Sequence, residues 1–239
     1  MSERPVVTRG GNVERVARCV LTSRSGTWSY AEHHRAEIDA LWLASAVAQP
    51  GLFNGTIYML ETQALSAAEF SATFLPVEFK CFYHWRACGF PAAGLCDSFG
   101  SALIRSVDGH VLLGRQRAGN LNAGLSYLPG GFIDPRDVAP TGRIDIAGSI
   151  WREVMEETGL EASDLVPVPG FLLTRCGHQI SICIEYRSWL SAQALADKVG
   201  AFLARDAGSE LVGIDMVRSM AELATLDLPP FTDVLLRWL

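Results

Sequence analysis

Glu153, Glu156 and Glu157 stand at spacings i, i+3 and i+4 within Arg152-Glu153-Val154-Met155-Glu156-Glu157-Thr158-Gly159-Leu160. On an α-helix these spacings put the three carboxylates on one face. Like charges so placed repel, and the row weakens the helix that carries it. Most glutamate rows are plain solvated faces. The alternative is a cation held between them: three hard oxygen donors suit Mg²⁺ or Mn²⁺. A helix also holds such donors more precisely than a loop does.

The flanks support a helix with a purpose. Asp145 sits immediately before an apolar-periodic run and reads as the N-cap of a helix starting at Ile146. Gly159 suits the left-handed position past the C-terminus. Upstream, Leu128-Pro129-Gly130-Gly131-Phe132 is a tight turn whose two glycines let backbone groups approach a ligand closely.

The Pro129-Gly130-Gly131 turn followed by residues 152–160 resembles the Nudix box, G-x5-E-x7-R-E-U-x-E-E-x-G-U, with U a bulky aliphatic residue. The second half matches at Arg152, Glu153, Val154, Glu156, Glu157, Gly159 and Leu160. The first half departs from it. Gly131 lies 21 residues before Arg152 rather than 14, so about seven residues are inserted, most simply within 136–141. Ile144 stands where counting back from Arg152 places the first glutamate. Asp145 could substitute for it, but its place favours the cap.

The resemblance implies a metal-dependent hydrolase that cleaves a nucleoside diphosphate linked to another group. It assigns Glu153, Glu156 and Glu157 to the metal, with the Gly131 carbonyl as a further oxygen. Arg152, Gly130 and Gly159 become structural, the arginine fixing the helix through an ion pair. A downstream loop commonly supplies the base in this family; Glu210 is the candidate, followed by Glu185. Arg115 and Arg117, ending a strand, are candidate phosphate ligands, since arginine grips phosphate well. Arg175 and His178 lie in a hairpin that could line the substrate cleft, against the plainer reading of an ordinary turn. Tyr127 is more readily a packed aromatic than a stacking platform.

The 239 residues carry a net charge of −6, with 49% hydrophobic and 19% charged residues. That composition is core-rich and gives no general affinity for nucleic acid. None of the six cysteines forms a CxxC pair, so zinc is not indicated. No signal peptide and no run long enough to span a membrane is seen, and free thiols suit a reducing cytoplasm. P-loop, HExxH and GxSxG patterns are missing from the sequence.

Along the chain, the opening dozen reads as loose, Arg15–Leu21 as a strand, 30–48 as a helix stopped at Pro50-Gly51, and Thr56–Glu61 as a strand after an Asn54-Gly55 turn. Residues 66–86, broken by Pro76, are ambiguous. Further strands are expected at 98–107, 111–115, 171–175, 179–187 and 211–217. Helices are expected at 146–158, 191–204 and, after Pro229-Pro230, at the end of the chain. This order is similar to the Nudix α/β/α sandwich with a mixed sheet, an α/β (α+β) fold. The expected organisation is a Nudix domain at 97–239 preceded by a smaller α+β extension at 1–96.

Leu52-Phe53-Asn54-Gly55 looks like a segment of Nudix relatives that act on UDP-sugars. The implied substrate is therefore a UDP-sugar, or else an ADP-ribose-like nucleotide, and the extension would serve substrate selection or homodimer contacts. Two alternatives stand beside hydrolysis. One is a catalytically impaired nucleotide sensor, suggested by the missing first glutamate. The other is an isomerase, which would need a cysteine in the cleft.

Overall fold

The computed structural model describes residues 10–49, 51–206 and 208–239. Its elements in chain order are β1 (Gly11–Val16), β2 (Arg18–Ser23), α1 (Ser29–His33), α2 (Arg35–Ala48), β3 (Thr56–Leu65), β4 (Glu69–Glu78) and α3 (Phe79–Ala87). Then follow β5 (Asp97–Arg105), β6 (Val111–Gln116), β7 (Ser126–Tyr127), β8 (Gly130–Phe132), a 3₁₀ turn (Pro135–Asp137) and α4 (Ile146–Thr158). The chain ends with β9 (Leu165–Pro167), β10 (Phe171–Cys176), β11 (Gln179–Ser188), α5 (Ala192–Leu203), β12 (Leu211–Val217), α6 (Met220–Leu223) and α7 (Pro230–Trp238).

Among the described residues two sheets form. The larger runs β1-β10-β11-β5-β6-β12, with β7, β8 and β9 pairing at its margins, and the smaller runs β2-β4-β3. The large sheet is mixed: β11 and β5 are parallel, while β10–β11 and β12–β6 are antiparallel. Side chains alternate across it as the strand period requires. Ala102 and Ile104 of β5 join Ile146, Ile150 and Val154 of α4 and Leu195 and Val199 of α5 in one core. Leu103, on the opposite face, packs with Leu223 of α6 and Leu235 and Leu236 of α7. The result is the expected helix–sheet–helix sandwich.

Residues before 96 share this core rather than packing apart from it. β1 pairs with β10 along its whole length, and Leu21, Leu60, Phe70 and Phe74 pack in the same cluster as α4. A second, aromatic-rich cluster centred on Trp28, Phe82 and Trp85 fills the space under α3.

Several local expectations are corrected. Gly11 and Asn12, expected to be loose, are paired in β1; residues 1–9 lie outside the described residues, as does the helix stop expected at Pro50. The single strand expected at 15–21 is two strands in different sheets, separated at Ala17. The 30–48 helix is interrupted at His34, which has non-helical backbone angles. The ambiguous 66–86 segment is a strand followed by a helix. Pro76 fits inside β4 because β2 pairs only with residues 69–74, so beyond them one edge of β4 has no strand partner among the described residues. Among the described residues no helix is long and apolar enough to cross a membrane.

Candidate active site

α4 begins and ends as its sequence requires. The Asp145 side chain accepts from the Gly148 amide at 3.0 Å, and Gly159 takes a left-handed φ of 64°. Its carboxylates therefore project at fixed heights beside β8. The expected Gly-Gly turn is a strand instead, β8, whose Gly130 and Gly131 pair with Ser101 and Gly100 of β5. Gly130 is confined by backbone, since a Cβ there would lie 2.2 Å from the Gly100 carbonyl oxygen, and its missing side chain allows β8 to approach β5. A Cβ at Gly131 would lie 2.7 Å from Cδ of Glu153, so a side chain there would displace that carboxylate.

The three glutamates occupy different environments. Glu157 is buried and accepts from the Tyr127 hydroxyl and the Gly130 amide, both at 2.9 Å. Burial pushes its carboxyl up to about 8, helped by the charges of Glu153 and Glu210. Glu153 is largely buried and is raised to about 7, again mainly by desolvation, although Arg152 opposes the shift. Glu156 is exposed, 3.4 Å from Nη1 of Arg136. Glu210, just before β12, is also raised by burial and by the charge of Glu156. Four carboxylates thus crowd one region with too little positive charge to balance them.

Arg152 supplies only part of that balance: its Nη2 lies 3.3 Å from Glu153 and its Nε 3.9 Å from Glu156, but its strongest contacts are with two aspartates. Its Nη1 bonds Oδ1 of Asp137, and its Nη2 reaches Oδ2 at 3.3 Å and Asp134 at 3.4 Å. Asp137 is 5% exposed and also accepts from Ser149 Oγ and the Asp134 amide, each at 3.0 Å. Asp145, weighed as the substitute for the box's first acid, acts only as the helix cap. Asp137 fills the role instead. It follows Gly131 by the family's G-x5 interval, so the insertion falls after the acid, in a small loop closed by a Val138–Ile144 bridge. Counting forward from Gly131, rather than back from Arg152, locates it in the sequence.

A cleft of about 1240 Å³ opens beside these groups, with Gly130, Gly131, Glu153, Glu156 and Glu210 in its wall. Its other walls include α3, residues 51–55, the start of β3 and the 118–122 loop.

The predicted arginines do not reach the cleft. Arg115 pairs at 2.5 Å with Asp215, which lies on the neighbouring strand β12. Arg117 braces the Glu210 loop: its amide donates to the Glu210 carbonyl and its Nε to the Ser209 carbonyl, at 2.8 and 2.7 Å. Arg175 stands 5.6 Å over the Phe70 ring and donates to Gln63 at 2.5 Å. His178 stacks on Phe90 at 3.6 Å. Glu185 is buried among Arg15, Arg105 and Arg187, so it is a structural charge and not a base facing the cleft. Tyr127 is packed, and its hydroxyl orients Glu157. Among the described residues no cysteine lines the cleft. Arg136, Arg86, Asp97 and Gln179 do line it and went unmarked in the sequence, where no spacing distinguishes them.

A NUDIX domain model matches residues 96–239. The chain belongs to the Nudix family. Solved structures similar to it include the Nudix hydrolase RenU from M. smegmatis, at 17% identity, TM-score 0.40, covering 59% of this chain and 82% of that one. The bifunctional NMN adenylyltransferase/ADP ribose pyrophosphatase from Francisella tularensis shares 15% identity at TM-score 0.42, covering 66% of this chain and 44% of that one. The NUDIX domain of Shewanella oneidensis NrtR, solved with ADP ribose, shares 19% identity at TM-score 0.37, covering 65% and 94%. No curated protein matches the chain.

Nudix enzymes generally use divalent metals such as Mg²⁺. The donors here fit such an ion chemically, being hard carboxylate oxygens with a surplus of negative charge. As they stand, however, no three His, Cys, Asp or Glu side chains among the described residues are grouped as a metal cage. Glu157 turns toward Tyr127 and Gly130, and Glu156 toward Arg136. Loading would therefore require Glu156 to exchange its exposed arginine partner for the ion.

Proposed function

We propose that this protein is a metal-dependent pyrophosphohydrolase acting on a nucleoside diphosphate linked to a second group, a UDP-sugar or an ADP-ribose-like compound. One observation carries the reading. The glutamates of the matched box gather with Glu210 in and behind the wall of a single cleft, while Asp137 anchors Arg152 beside them.

In this reading Glu153, Glu156 and Glu157, with the Gly131 carbonyl, would hold Mg²⁺ or Mn²⁺. The ion's contribution is to neutralise phosphate oxygens and make water more acidic. The protein's own groups do the rest. Tyr127 and the Gly130 amide orient Glu157, and Asp137 anchors Arg152 so that α4 cannot rotate away from β8. Glu210, its loop pinned by Arg117 and its carboxyl raised by burial and by the charge of Glu156, is suited to accept a proton from the attacking water. The sensor alternative drew on a missing first acid, and Asp137 removes that motive.

A screen of nucleotide-sugars, ADP-ribose, dinucleoside polyphosphates and coenzyme A with Mg²⁺ or Mn²⁺ tests the reading. Release of two phosphate-bearing products from at least one class is expected. Binding without products across the whole panel would refute it.

A further inference from the structure

We propose that the end of the cleft remote from the box glutamates is a nucleobase subsite, where Arg86, Asp97 and Gln179 read the hydrogen-bonding edge of a base lying on the Phe99 and Phe132 rings. The proposal rests on the nucleotide-hydrolase reading and deepens it. Arg86 lies outside the matched residues 96–239, so the subsite is built partly by the N-terminal segment.

Strand alternation creates the floor. Asp97, Phe99, Gly100 and Ser101 of β5 all line the cleft, and a side chain at Gly100 would point the other way, onto Ile150 of α4. Gln179 stands opposite Asp97 on β11 and donates its Nε2 to Asp97 Oδ2 at 2.9 Å. Asp97 is only 4% exposed, yet it reaches the cleft, and among the described residues no group bonds its Oδ1.

Arg86 comes from the opposite wall. It follows Phe82 by one helical turn on α3, so both side chains leave the same face. Its Nη2 donates to the Leu121 carbonyl at 2.7 Å and to Asn122 Oδ1 at 3.2 Å. Its Nε and Nη1 have no partner among the described residues, although the charges of Arg86 and Asp97 act on each other. A guanidinium and a carboxylate held apart at the edge of one cavity leave donors and an acceptor for a ligand.

The surfaces between are flat and apolar. Phe99 and Phe132 stand side by side across the β5–β8 ladder, half-buried in the cleft wall, with buried Phe231 and Phe82 packed edge-on against them at 4.7 and 5.0 Å. Aromatic faces take stacked bases. A few convergent polar groups among apolar walls suit one planar edge. A sugar, with hydroxyls all around its ring, would leave most of them unpaired against these walls. The distance also suits a nucleotide. Gly131 pairs with Gly100, three residues along β5 from Asp97, a span of about 10 Å at the usual strand rise. A base at Asp97 thus places its 5′-phosphate toward the glutamates.

Calorimetric titration of the whole protein with UMP, AMP, GMP, CMP, ribose 5-phosphate and glucose 1-phosphate, in Mg²⁺, tests the subsite. At least one nucleoside monophosphate should bind about tenfold or more tighter than either sugar phosphate. Arg86→Gln, Asp97→Asn and Gln179→Ala should each weaken that nucleotide about tenfold while leaving ribose 5-phosphate unchanged. Should buried Asp97→Asn fail to fold, the other two variants decide. Equal binding of sugar phosphates and nucleotides, or equal losses for both in the variants, would overturn the subsite. Base-selective binding without turnover of any diphosphate substrate would refute the hydrolase reading and keep the subsite. Turnover without base discrimination would do the reverse.

Discussion

Arg152 and Asp137 form a two-pronged ion pair across the inserted loop, and this pair closes the gap in an otherwise complete box. Removing Asp137 leaves a largely buried guanidinium without its main partner. Asp137→Ala should therefore lower unfolding free energy by about 3–5 kcal/mol and reduce kcat as α4 loosens. Asp145→Ala removes only a helix cap, for about 1 kcal/mol, and should leave kcat nearly unchanged. Denaturant unfolding and turnover of both variants check the contrast. Equal effects would mean that Arg152 is anchored by neither aspartate.

Glu156→Gln and Glu157→Gln should each lower turnover by about 100-fold or more while the protein still folds. In Glu157→Gln the amide oxygen can still accept from the Gly130 amide while the amide NH2 donates to the Tyr127 hydroxyl oxygen, so the loss would reflect charge and not a displaced β8. Full activity of both variants at saturating Mg²⁺ would remove the metal row from the account.

Glu210→Gln should cost about 10²–10⁴-fold in kcat if its carboxylate takes the proton. Its carboxyl is raised by burial and by Glu156, so the base form grows as pH rises. The wild-type rate should climb with pH above the ordinary carboxylate range, and the variant should lack that limb. A variant with an unchanged pH–rate profile would reassign the base.

The metal-free protein should lose stability as pH rises. Glu153 and Glu157 titrate at about 7 and about 8 in the fold, against an ordinary 4.5, so between those values the folded state binds more protons than the unfolded chain. Their contribution is complete below pH 4.5 and drains away as pH rises through about 7 to 8. Asp97, raised to about 6, adds to the early part of the decline. Thermal melts from pH 5 to 9 in chelator should show a falling Tm, shallower in Glu157→Gln. A Tm that rises over this interval would contradict the burial of these carboxylates.

Features governed by local chemistry were legible in the sequence. Asp145 and Gly159 bound α4 as expected because capping depends on a few adjacent residues. The strand at 211–217 and the helix from Pro230 were found for the same reason. What escaped depends on contacts between distant segments. Asp137 was hidden by an insertion that shifts the count from Arg152. Arg115, Arg117 and Arg175 read as phosphate ligands, but Asp215, the Glu210 loop and Phe70 claim them once β12 and the N-terminal sheet are in place. Asp97 and Gln179 meet only because β11 runs parallel to β5 in that register.

The most direct test is product analysis with the nucleotide-sugar and ADP-ribose panel, comparing wild type with Glu156→Gln in Mg²⁺ and in chelator. The account predicts a nucleoside monophosphate and a phosphorylated partner from the wild type, lost in chelator and reduced about 100-fold in the variant. Substrates that stay intact with bound wild type in Mg²⁺, or products formed equally in chelator, would contradict it.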